Sequence, residues 1–195
     1  MYYALNKDQL FDILKGWNYF LNRRVHLIAC GGTAMTLIGV KASTKDVDFM
    51  VPQPAEYDYL IKQLKAMGYK SVTGPGWQRD GEQFHFDIFR GNRIHTTELP
   101  DSPLEAGRHS VLIEFSHLYV GILNHYDLIS SKLLRGTKVD FEDCLALAIA
   151  CRSDIDLKLL ASHFKELVSY DIAEERVRSN LDHFLKLLQE KDGHE

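Results

Sequence analysis

The sequence is short of several things, and each shortage narrows what the chain does. It has three cysteines, Cys30, Cys144 and Cys151, in 195 residues. An odd, small number in apolar surroundings excludes a disulfide framework and reads as reduced core residues of a cytoplasmic protein. Cys144 and Cys151 stand seven apart on one expected helix, the spacing of a shared buried face. No apolar run approaches the roughly 20 residues that span a bilayer, so no membrane segment is expected. The opening MYYALNKDQLF has no basic start followed by a long apolar stretch, and so does not read as a secretion signal. Basic residues are not in excess: 23 Lys and Arg against 27 Asp and Glu, a formal charge of −4. That excludes a generally basic nucleic-acid coat and leaves room for a local basic patch beside an acidic site. Neither common glycine fingerprint for nucleotides, GxxxxGK[ST] or GxGxxG, occurs.

What is present is ordinary globular material, 45% hydrophobic and 26% charged, enough to bury a proper core. Asn6 precedes a run with Leu10, Phe11, Leu14, Trp17 and Leu21 at helical spacing, and Gln9 stands where a capping box needs it. Leu5 and Leu10 suit a hydrophobic staple. "VHLIAC" reads as a buried strand, "TAMTLIG" as a short helix stopped by Gly39, and "KDVDFMV" as the next strand. A helix is expected from about Pro54 to Met67, ended by Gly68. "YKSVTG" and "QFHFDIFRG" suit strands around the turn-rich "PGWQRDGE", and "NRIHTTELPDSPLEAG" suits a loop. "SVLIEF" and "LYVGIL" add strand. After Asn124, four segments carry helical periodicity, broken at Gly136, at Ser153–Asp154 and at Asp171. The expected class is therefore α+β: a mixed-sheet domain over 1–123, and a C-terminal helical bundle over 124–195 that shares an interface with it.

Two spans carry the chemistry. In a strand, residues two apart face the same way, so Asp46 and Asp48 project together while Val47 and Phe49 point inward. Adjacent carboxylates repel unless a cation lies between them, and Mg²⁺ takes carboxylate together with phosphate oxygens. Two solvated acids at a sheet edge is the plainer reading of the pair alone. In "FHFDIF", Phe84, Phe86 and Ile88 form an apolar face and Asp87 stands on the other, beside His85; an acid in so aromatic a strand calls for a partner. If the two strands are neighbours, three carboxylates converge, a set able to hold two metal ions. Gly31 and Gly32 end the first strand, where backbone N–H groups at a helix start favour an anion.

Gly-Gly-Thr after a strand, twelve residues, Asp-Val-Asp, and then a later strand aspartate resemble the polymerase-β-type nucleotidyltransferase superfamily, and within it the AbiEii-type toxin nucleotidyltransferases. The core likeness covers residues 24–90; "KLLRGTKVDFEDCLAL" is similar to that group's later lysine and aspartate motifs. The resemblance implies that Asp46 and Asp48 hold both of two Mg²⁺ ions, and that Asp87 holds the catalytic one and helps deprotonate the attacking hydroxyl. It further implies that Gly31, Gly32 and the Thr33 hydroxyl cradle the β- and γ-phosphates of an NTP. The implied reaction moves an NMP to an acceptor, RNA or a tRNA end or a small molecule, with an antitoxin protein as partner.

In the helical half, Lys132 is the first candidate to reach the triphosphate, with Arg135 beside it; a solvated helix face is the alternative. Asp140 and Asp143 read as acids at a helix start. His85 reads as a strand residue, and the remaining histidines, His95 among them, as structural or surface residues. The competing function is a catalytically silent nucleotide- or partner-binding regulator on the same fold, for which Asp87 has no evident use.

Overall fold

The computed structural model describes residues 4–169 and 174–192, with side chains for all of these except 174–176 and 192. By contacts the chain divides into two compact units, Met1–Asn124 and His125–Glu195.

The first unit opens with α1 (Lys7–Phe20), where Asn6 and Gln9 form a reciprocal capping box. The three- and four-residue spacing of its apolar residues buries Leu10, Leu14 and Trp17. β1 (Val25–Ala29) runs straight into α2 (Gly31–Leu37). The chain then returns as β2 (Val47–Val51) and leaves through α3 (Pro54–Ala66), with Pro54 in its first turn. β3 (Tyr69–Ser71), β4 (Gly76–Arg79) and β5 (Phe86–Arg90) follow. A small hairpin, β6 (Arg93–Ile94) and β7 (Thr97–Glu98), precedes β8 (His109–Glu114) and β9 (Leu118–Leu123).

Seven strands form one mixed sheet in the order β3-β4-β5-β2-β1-β9-β8. β1 pairs parallel with β9, and β2 parallel with β5; the other neighbours are antiparallel. The α+β class is as expected, but two segments read as turn or loop carry strand. "PGWQRDGE" contains β4, whose Trp77 lies opposite Phe86, and "NRIHTTELP" folds into the β6–β7 hairpin. Phe86, on the sheet face opposite Asp87, packs at 4.6 Å from Trp17 and 5.8 Å from Tyr69, between ring centroids. Trp17 Nε1 donates to the Tyr69 hydroxyl, so this aromatic cluster leaves the indole satisfied.

The second unit is helical: α4 (His125–Arg135), α5 (Lys138–Ala150), α6 (Leu157–Val168) and α7 (Glu174–Asp192). Gly136 ends α4 at φ +63, and a Cβ there would collide with Asn180, whose amide donates to Leu133 O. Asp156 caps α6. His163 and Asp127, 2.6 Å apart, tie α6 to α4. Burial pushes the Cys144 thiol up to about 12, which makes it an inert core group. Cys151, in contrast, is half-buried at the end of α5. The expected break at Asp171 lies outside the described residues. Among the described residues no helix is long and apolar enough to cross a membrane.

Candidate active site

The two glycines at the start of α2 and the acidic segment form one packing unit. Gly31 has φ +56, and a Cβ on it would stand 2.4 Å from Asp48 Oδ2. A Cβ on Gly32 would stand 2.8 Å from Thr44 Oγ1. Each glycine thus lets one side chain of the acidic segment come against the start of α2.

Thr33 completes the join. Its hydroxyl donates to Asp46 O at 3.2 Å and accepts from Asp48 N at 2.8 Å. Thr44 Oγ1 donates to the same Asp46 carbonyl at 2.7 Å, and Leu5 and Thr44 exchange both backbone hydrogen bonds. The expected phosphate-cradling Thr33 has a second role here: the side chain is fully buried and its hydroxyl bonds backbone on both sides, so it positions the acids. Thr33→Val, losing both bonds and leaving the Asp48 N–H buried, is expected to cost about 1–3 kcal/mol; Thr33→Ser is expected to keep most of it. Urea unfolding of the two variants checks this.

Asp48 and Asp87 are direct partners in the parallel β2–β5 ladder, so their side chains leave the same face of adjacent strands, about 4.8 Å apart at the backbone. Asp48 is 5% exposed, Asp87 is half-buried, and Asp46, just ahead of β2, is exposed. The Asp87 carboxyl is held above its ordinary range, first by burial and also by the Asp46 charge, against the opposing pull of His85. Asp46 is therefore near enough to be felt by Asp87.

A ready-made metal cluster, however, is not what the side chains form: among the described residues no three His, Cys, Asp or Glu groups are gathered to hold an ion. The reason is local. One oxygen of Asp48 lies against Gly31 and the other 3.9 Å from His95 Nε2, while Asp87 leans toward His85 Nε2 at 3.6 Å. Each acid has a histidine near it. His85 is thus a neighbour of the site and not merely a strand residue, and His95 was missed altogether. The donor set still fits a divalent cation. Two paired, desolvated carboxylates and a third within electrostatic reach carry an excess of negative charge. The bare Gly31 is what lets Asp48 Oδ2 lie against the start of α2, where a Cβ would collide with it.

A raised pKa has a definite sign in stability. An acid that holds its proton more tightly when folded makes the fold less stable as pH climbs from the usual carboxylate range through the raised value, and the loss persists above it. Asp87→Asn is therefore expected to raise the metal-free melting temperature at pH 7, by about 2–4 °C if the relief is near 1 kcal/mol. The gain should vanish in acid, and Mg²⁺ should stabilise the wild type more than the variant. Thermal melts with and without Mg²⁺ at two pH values check all three.

Lys132 belongs to the helical unit, where acids of that unit surround its ammonium. The residue is 3% exposed, and its ammonium lies 2.7 Å from Asp143 Oδ2 and 3.9 Å from Asp140 Oδ1. Arg135 binds the same Asp140 oxygen at 2.5 Å. Asp140 sits at the third position of α5 in a capping box with Thr137, the cap role expected of it, while Asp143 is the buried counter-ion of Lys132.

A family model described as nucleotidyltransferase of unknown function (DUF6036) matches residues 8–190. The chain belongs to this nucleotidyltransferase family. No curated protein matches it. Among solved structures, this nucleotidyltransferase is similar to an antigenic nucleotidyltransferase-like protein from Paracoccidioides brasiliensis, with 16% identity, TM-score 0.52, and 92% and 95% of the two chains covered. A nucleotidyltransferase candidate from H. pylori gives 17% identity, TM-score 0.50, and 96% and 97% coverage. At such identities the likeness is one of fold. A weaker one, TM-score 0.48, is to MenT4, a nucleotidyltransferase toxin from Mycobacterium tuberculosis H37Rv, and at that score it speaks to neither acceptor nor biology.

Proposed function

We propose that the chain is a Mg²⁺-dependent nucleotidyltransferase that moves an NMP from an NTP onto a hydroxyl or phosphate acceptor. The observation that carries this reading is the pairing of Asp48 with Asp87 across β2 and β5, directly beside the Gly31 turn. Asp46, Asp48 and Asp87 are the residues that would hold the divalent ions, whose charge offsets that of the triphosphate and of the leaving pyrophosphate. Gly31 and Gly32 present backbone without side chains to the β- and γ-phosphates. Asp87 accepts the proton of the acceptor hydroxyl, a role suited to a carboxylate whose proton affinity burial has raised. The acceptor oxygen bonds to the α-phosphorus, the bond to the bridging oxygen breaks, and pyrophosphate leaves. RNA, a tRNA end or a small molecule is the acceptor class, and the AbiEii-type resemblance adds an antitoxin as protein partner.

The test is transfer of label from each α-³²P NTP, with Mg²⁺, onto total bacterial RNA and onto a small-molecule extract. Product that depends on Mg²⁺ and on Asp48 supports the reading, and the labelled fraction names the acceptor. No label from any nucleotide onto either fraction overturns it in favour of a silent binding protein.

A further inference from the structure

The β6–β7 hairpin holds an anomaly in its turn. Ile94 pairs with Thr97, which leaves His95 and Thr96 as a two-residue loop, and tight loops of this kind place glycine, asparagine or aspartate where φ is positive. Here that position is His95, at φ 51, the one non-glycine residue with positive φ among the described residues. Such a conformation costs a side-chain-bearing residue about 1 kcal/mol relative to glycine. Nothing in the hairpin's own pairing asks for an imidazole, and the turn is already anchored by Ile94, Thr97 and Leu99, all buried.

What the imidazole does meet is the site. Its ring packs edge-on against Phe89, 4.8 Å between centroids at 70°, and Phe89 is two residues along β5 from Asp87, on the same face. The Nε2 atom lies 3.9 Å from Asp48 Oδ1, beyond direct hydrogen-bonding distance. The two oxygens of Asp48 are thus divided between two neighbours, Gly31 at one and His95 at the other. An imidazole nitrogen that carries its hydrogen is a donor, and a carboxylate or phosphate oxygen is what it donates to. The ring, held against the edge of Phe89 and turned toward Asp48, is matched to oxygens entering beside that acid.

From this arrangement we infer that His95 is a substrate-binding residue: its Nε2–H donates to a phosphate oxygen of the NTP lodged at Asp48. The inference rests on the nucleotidyltransferase reading above. His95, half-buried and carried on a strained turn, stands at one oxygen of Asp48, and the Gly31 turn stands at the other. The strain of the turn is retained because glycine, the residue the turn prefers, has no donor to offer.

His95→Gly relieves the backbone and removes the donor; His95→Gln restores a donor at a similar reach. Affinity for a non-hydrolysable α,β-methylene NTP is measured with Mg²⁺ by calorimetry, alongside KM and kcat for transfer and the melting temperature. His95→Gly is expected to weaken nucleotide binding about tenfold or more and to raise KM in step, with a melting temperature equal to or above the wild type's. His95→Gln is expected to recover most of the affinity. Wild-type affinity in His95→Gly overturns the inference while leaving the enzyme reading intact. So does a His95→Gly variant whose weaker binding comes with a lowered melting temperature that His95→Gln does not repair, which marks a structural role. A wild-type protein that neither binds nor transfers any nucleotide, under conditions where it is folded, removes the parent reading and this one together.

Discussion

Asp48→Asn is expected to lower nucleotide transfer by about a thousandfold or more, a loss of about 4 kcal/mol of transition-state stabilisation. The substitution changes almost nothing except charge. Asparagine has the shape of aspartate, and the Asp48 backbone N–H keeps its bond to the Thr33 hydroxyl. The close approach to Gly31 is preserved. What is lost is one of the two carboxylates aligned across β2 and β5, and with it a negative ligand in a site where a cation's charge is worth several kcal/mol. The fold has no reason to suffer, because the variant relieves like-charge repulsion with Asp87 in a desolvated setting. Asp46→Asn is expected to act in the same direction. Single-turnover transfer from α-labelled NTP, run beside thermal melts of the same preparations, separates the two effects. Full activity in a folded Asp48→Asn protein would sink the proposed chemistry.

That prediction was readable before the structure because the residues behind it announce themselves locally. Alternation in "KDVDFMV" and "FHFDIF" sets the acids on one face and Val47, Phe49, Phe86 and Ile88 on the other, and the capping box at Asn6 and Gln9 marks the start of α1. Other features depend on contacts that no local pattern carries. Thr33 is a clamp only because α2 and β2 meet in one register. β4 opens on Gly76 because a Cβ there would collide with Val72 and Thr73 O, and its ladder supplies the order that propensity does not. His95 is a lone histidine in a stretch that looks like loop; only the hairpin turn and the reach to Asp48 distinguish it. The one available signal was negative: two β-branched threonines follow it, with no glycine or asparagine to take the turn.

Lys132 depends in the same way on a contact that no local pattern carries, and it has the largest expected effect on stability. Its position in α4 suits a basic helix face, yet Asp143, eleven residues on, draws the ammonium into the interior at 2.7 Å. Lys132→Met is expected to destabilise the helical unit by about 3–5 kcal/mol, since it leaves the Asp143 charge buried without that ammonium. Asp140 should suffer less, because Arg135 and the Thr137 cap remain on it. The double variant Lys132→Met, Asp143→Leu is expected to regain most of the loss, as paired buried charges exchanged for apolar groups of similar volume often do. Urea unfolding followed by far-UV circular dichroism gives both quantities, and their difference is the coupling between the two side chains. A single variant within about 0.5 kcal/mol of wild type, the range of an ordinary surface substitution, would show that the buried pair does not hold the unit together. Transfer activity in the double variant then separates the two roles left to Lys132. A stable double variant with normal transfer confines the lysine to folding. A stable but inactive one gives the lysine a role in transfer beside its role in folding.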